Sequence, residues 1–142
     1  MNTVQHKKQF LTFEIDQVNY GIDINLVTEI IGMQQVTPIP ELANYIKGIM
    51  NLRGKIIPLI DIRVRLYNRN REYDDRTCVI VVTWNEEEIG LILDCVYEVI
   101  STGSQEEMLS IDNQAEPFIS QIIKIEDTVY MIVDVEKLIA TE

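Results

Sequence analysis

The chain has 142 residues, 46% of them apolar and 25% charged, which suits one domain or two small lobes sharing a core and excludes a disordered or low-complexity protein. Uncharged apolar stretches such as residues 78–84 fall far short of the roughly 18 residues of a spanning helix, and the N-terminus lacks a secretory pattern, so a cytoplasmic protein without direct membrane insertion is expected. The net charge of −11 speaks against nucleic acid as a partner, but it is uneven: residues 1–72 carry nine basic and seven acidic side chains, residues 73–142 three and sixteen.

Isoleucine and valine number 36 against three alanines, a balance that favours pleated strands and a mainly β fold. In chain order the predicted strands are 10–15, 20–24, 30–36, 46–52 and 55–62, then a helical turn over 63–67. The stretch 68–76 has no apolar pattern and reads as an exposed linker. A second set follows at 78–84, 89–93, 99–102, 119–125 and 129–135, closing with a turn over 136–139. The sets repeat each other. Residues 20–31 lie over 89–100 at an offset of 69, and 45–66 over 118–139 at an offset of 73, pairing Ile49 with Ile122 and Asp61 with Asp134. About five strands per half suit small closed barrels, with approximate lobes 9–72 and 77–139 between which segments can be exchanged.

Catalytic chemistry is hard to assemble. The single histidine, His6, and the two cysteines, Cys78 and Cys95, cannot make a zinc site, and both cysteines lie in apolar runs as small core residues. No nucleophile motif is present, and Gly48 to Ile56 has the wrong glycine spacing for a phosphate loop. No catalytic residue, metal or cofactor is therefore assigned. Asp61 and Asp134, equivalent in the repeat, read as caps of the helical turns that follow them. Arg53 and Gly54 read as the tip of a hairpin, and Pro58 places its strand at an edge or bulge. Between residues 47 and 71 only Asp61 offsets Lys47, Arg53, Lys55, Arg63, Arg65, Arg69 and Arg71. That cluster points to an acidic partner or, as the alternative, to a small barrel binding single-stranded nucleic acid, for which the one aromatic residue in the stretch, Tyr67, is a poor stacking platform.

The run Tyr45-Ile46-Lys47-Gly48-Ile49-Met50-Asn51-Leu52-Arg53-Gly54-Lys55-Ile56-Ile57-Pro58-Leu59-Ile60-Asp61 closely resembles the CheW family of chemotaxis coupling proteins. Supporting matches are Tyr20-Gly21-Ile22-Asp23-Ile24 with Val27 and Glu29, Gly90-Leu91-Ile92-Leu93-Asp94, and Val133-Asp134-Val135-Glu136-Lys137-Leu138. The resemblance implies two SH3-like five-stranded barrels around a common core and a stand-alone, non-enzymatic adaptor. It also implies two partners, the cytoplasmic tips of methyl-accepting chemoreceptors and the regulatory domain of the histidine kinase CheA, and so an association with membrane-bound receptor arrays. Positions matching the family's receptor contacts are Val27, Glu29 and Arg53; Gly48 matches a glycine tied to kinase coupling. One departure is the stretch Phe118-Ile119-Ser120-Gln121-Ile122, where many members place a glycine near Gln121.

Overall fold

The computed structural model describes residues 8–94, 96–103, 107–109 and 117–140. His6 and Cys95 lie outside them. The first hairpin joins β1 (Gln9–Ile15) and β2 (Val18–Asp23) through Asp16 and Gln17, both at positive φ as a two-residue turn between twisted strands requires. Asp23 then caps a single 3-10 turn, its carboxylate accepting from the Asn25 amide at 2.9 Å. That turn is so short that β3 (Val27–Gly32) begins and ends before the predicted 30–36. A second hairpin, β4 (Ile46–Leu52) and β5 (Lys55–Asp61), turns at Arg53 (φ 51°) and Gly54 (φ 85°) and runs into α1 (Ile62–Tyr67).

The second half repeats this series with β6 (Cys78–Trp84), β7 (Glu87–Leu93), β8 (Val96–Ser101), the short β9 (Glu107–Leu109), β10 (Ile119–Ile125), β11 (Thr128–Val133) and α2 (Val135–Ile139). β9 has no counterpart among the predicted strands. Asp61 and Asp134 do cap the helices, accepting from the Val64 and Lys137 amides at 3.2 and 3.3 Å.

The fold is mainly β, as expected, but the sheets do not follow the lobes 9–72 and 77–139. One sheet runs β8-β1-β2-β11-β10-β9, five long strands plus the three-residue β9; the other runs β3-β6-β7-β5-β4. The hairpin of each half is thus exchanged: β1–β2 joins β11 through a parallel pairing, and β6–β7 joins β5 in the same way. The second barrel is the continuous stretch β3 to β7, inserted between β2 and β8 of the first. From β3 the chain crosses to β4, where Thr37 and Ile49 exchange two 2.9 Å backbone hydrogen bonds and close the second barrel; in the first barrel β9 pairs with β10 at the equivalent place.

Alternation along the strands separates three apolar clusters. Phe10, Ile123 and Ile132 fill the first barrel, and Met50, Ile57, Leu59, Val79, Val81 and Ile92 the second. The largest lies between barrels, where Leu11, Phe13, Ile15 and Ile22 meet Ile60, Ile80, Val82, Leu91 and Leu93 beneath both helices. β6 is buried on both faces from Val79 to Val82, which is why its sequence is an unbroken apolar run over that stretch. Cys78, half-buried, packs against this shared core. Pro58 lies on a central strand, but β7 joins β5 only from Leu59 onward, so the missing donor falls on an open stretch.

Candidate functional site

β3 and β4 are the two flanks of the second barrel, and Arg53 at the β4–β5 tip reaches back over the gap between them. Its guanidinium donates to the Glu29 carboxylate on β3. The Arg53 side chain remains 70% exposed and that of Glu29 26%. Val27 stands two residues earlier on the same strand, separated from Glu29 by a β-bulge against β6, and its half-buried side chain packs on the shared core. Two residues of β3 and one from a hairpin tip 24 residues further along the sequence therefore form one ledge, with an apolar base and a paired acid and base at its rim.

Gly48 is buried at the bulge where β4 shifts register against β5. Its φ of +143° and the neighbouring Thr37 carbonyl leave no room for a side chain: a Cβ there would collide with the Thr37 oxygen and lie 2.9 Å from the Pro38 Cα. Glycine at this position lets the closing segment seat against β4. That segment carries exposed Ile39 and Leu42. Gly48 thus sets the position of a surface without belonging to it.

The basic cluster is occupied within the chain. Arg63, only 8% exposed, is gripped by Asp16 at 2.6 Å and by Asp94. Arg69 adds to Asp16 at 3.4 Å and Arg71 to Asp94 at 3.2 Å, while Lys55 pairs with Glu88 at 2.9 Å. Lys47 donates to Asn70. Arg65 lies over the Tyr45 and Phe118 rings and donates to the Lys137, Leu138 and Ala140 carbonyls, satisfying the C-terminal end of α2. Counting only residues 47–71 missed these partners because they come from the other hairpins. The linker, expected to be merely exposed, is strapped down by the same contacts and by Tyr73, whose hydroxyl donates to Asp61 at 2.6 Å. Burial, and then that hydrogen bond, push the Tyr73 phenol far above its ordinary value of 10.0, so it stays a donor.

Arg63 ties the β1–β2 turn of the first barrel to α1 and the β7 end of the second. Burial opposes its charge, but hydrogen bonds to Asp16 and Asp94 more than compensate and its pKa is raised. The hydrogen bond from Arg63 holds the Asp16 carboxyl below its ordinary 3.8. A depressed carboxylate stabilises the fold above its unfolded value and loses that contribution as pH falls through the lower folded value. Asp16→Asn is therefore expected to lower the thermal midpoint well above pH 3.8, with the difference from the parent shrinking as the pH falls below 3.8 and through the lower folded value. A difference that persisted undiminished in acid would assign the effect to packing.

Among the described residues no helix is long and apolar enough to cross a membrane, and no cluster of three or more metal-ligating side chains occurs. A family model described as the CheW-like domain matches residues 9–142. The chain belongs to the CheW family. The chemotaxis protein CheW of Klebsiella aerogenes is 34% identical over 138 residues, covering 95% of this chain and 83% of that protein. CheW of Bacillus subtilis is 29% identical over 95% and 88% of the two chains. The crystal structure of the scaffolding protein TtCheW from Thermoanaerobacter tengcongensis superposes with a TM-score of 0.83 at 31% identity, covering 99% of this chain and 94% of that one. As a CheW protein the chain is a chemotaxis scaffold and not an enzyme. The Arg63 clasp was not visible in the sequence, since a charged residue next to a helix cap ordinarily reads as solvated.

Proposed function

We propose that this CheW protein couples the cytoplasmic tips of transmembrane chemoreceptors to the regulatory domain of the histidine kinase CheA. It then joins membrane-bound receptor arrays through its partners, without inserting into the membrane. The receptor-facing residues are Val27, Glu29 and Arg53; Gly48 acts on kinase coupling by holding the closing segment in place. The observation that carries the reading is the pairing of Glu29 with Arg53, 24 residues apart in sequence, on one exposed ledge with Val27 at its base. An apolar floor with a charged rim fits the side of a helical bundle, where the centre of the contact is dry and the rim sets orientation.

Arg53→Ala is expected to weaken binding of a receptor cytoplasmic fragment several-fold, chiefly through a slower on-rate, as for a charge at the rim of an apolar contact. Folding stability should change by less than about 1 kcal/mol, because an exposed ion pair contributes little. Affinity for the CheA regulatory domain should be unchanged. Titration of each partner separately, followed by assembly of all three, tests the reading. Receptor affinity equal to that of the parent would leave Arg53 an ordinary turn residue, and failure of the three components to assemble would sink the coupling role.

A further inference from the structure

The internal repeat supplies a template for a second site. Glu29 and Glu98 are equivalent positions on the two barrel-closing strands, each at a register shift against the neighbouring hairpin: Glu29 directly follows the shift, and Glu98 lies within it, opposite Thr12. In the second barrel the mouth around Glu29 is plugged: Ile57 and Val81 are fully buried, Arg53 covers Glu29, and Lys55 covers Glu88. In the first barrel every one of these positions is changed. Tyr130 replaces Ile57, Thr12 replaces Val81, Asn19 replaces Glu88, and the hairpin tip offers Glu126 and Thr128 in place of Arg53 and Lys55. Glu14 stands where the second barrel has Thr83. The result is a cavity of about 450 Å³ lined by Thr12, Glu14, Asn19, Glu98 and Tyr130.

Neither Glu14 nor Glu98 has an ion-pair partner among the described residues. The Tyr130 phenol is pushed up by burial and then by the nearby Glu98 charge, against the opposing effect of a hydrogen bond with Thr128. Charge around it is one-sided. The described residues of the first barrel and its helix, 8–26, 94, 96–103, 107–109 and 117–140, carry three basic and ten acidic side chains, whereas 27–93 carry eight and nine.

We propose that the mouth of the first barrel is a docking site for an arginine side chain presented by an exposed loop of a partner protein, which would sit against Glu98 as Arg53 sits against Glu29. A planar guanidinium can bridge Glu98 and Glu14 while meeting the Asn19 and Tyr130 oxygens, and its alkyl stem can lie in the cavity. A bare metal ion fits less well, because no group of three or more metal-ligating side chains gathers among the described residues. The site does not depend on the receptor assignment of Val27, Glu29 and Arg53, which lie on the other barrel.

The test uses the full chain labelled with nitrogen-15 and titrated with the blocked tripeptide Gly-Arg-Gly, with the neutral isostere Gly-citrulline-Gly as control. Saturable shifts are expected at the Thr12, Glu14, Asn19, Glu98 and Tyr130 amides with the arginine peptide only. Glu98→Gln should weaken binding at least tenfold. Glu126→Arg, which places a guanidinium at the position equivalent to Arg53 on a backbone already at φ 55°, should abolish binding by filling the mouth from within. Equal response to the citrulline peptide, shifts scattered over carboxylates elsewhere, or unchanged binding in Glu126→Arg would each overturn the proposal.

Discussion

Alanine at position 48 is expected to destabilise the protein by about 3–5 kcal/mol, far more than a single methyl group ordinarily does. A side chain at that positive φ carries strain on the order of 1–3 kcal/mol. The larger consequence is steric, since a Cβ would occupy the space of the Thr37 carbonyl and press on the Pro38 Cα. The closing segment would have to lift off β4, losing the two hydrogen bonds exchanged by Thr37 and Ile49, each worth roughly 1 kcal/mol. A urea midpoint within error of the parent would mean that the segment yields without cost. Binding to the CheA regulatory domain should fall with the displaced Ile39 and Leu42, while Arg53 and Glu29, at the far end of the hairpin, should still support receptor contact. Equal loss of both partners would instead mean that the second barrel opens as a whole.

The same position explains the departure at Gln121, its equivalent in the repeat. Both residues sit at a register shift in the last hairpin of their half, between Ile46 and Gly48 and between Ile119 and Gln121. Gln121 is not among the residues at positive φ. In both barrels the closing segment pairs with the next residue along, Thr37 with Ile49 and Leu109 with Ile122, so the difference lies in the backbone at the bulge: position 48, at φ +143°, calls for glycine and position 121 does not.

Much of the fold could be read because the repeat carries it. Most strands, the helix caps and the Arg53–Gly54 turn follow from apolar alternation, from Asp61 and Asp134, and from the glycine at the hairpin tip. The exchange of hairpins was not decidable, because Gly21 and Gly90 and the apolar residues around them match so well that either hairpin satisfies either sheet. β9 lies in a stretch with no period-two pattern. At the candidate site, physics alone reads Arg53 as a solvated turn residue and Glu29 as a solvated acid; only the resemblance joined them. Arg63 shows the opposite failure. Its charge argued for the surface, yet two aspartates from other hairpins follow it into the junction between barrels.

Gly21 and Gly90 offer a sharper test of how tightly each barrel is filled, because equivalent residues are expected to respond differently. A Cβ at Gly90 would lie 2.5 Å from the Leu59 Cδ2 and 2.9 Å from the Val79 Cγ1. Val79 is β-branched and fully buried, so its methyl cannot rotate away without leaving its preferred rotamer. At Gly21 the only close neighbour is the Ile132 Cδ1 at 2.7 Å, the flexible end of a side chain. Overfilling a packed core costs about 1–3 kcal/mol and occasionally more. Gly90→Ala should reach about 3 kcal/mol, near the upper end of that range, and Gly21→Ala should stay near about 1 kcal/mol, at its lower end. Denaturant midpoints of the two variants, measured side by side, decide between unequal and equal packing. A cost at Gly21 equal to or larger than that at Gly90 would contradict the difference in what the two Cβ atoms meet, the flexible end of a side chain in the first barrel and a β-branched core residue in the second.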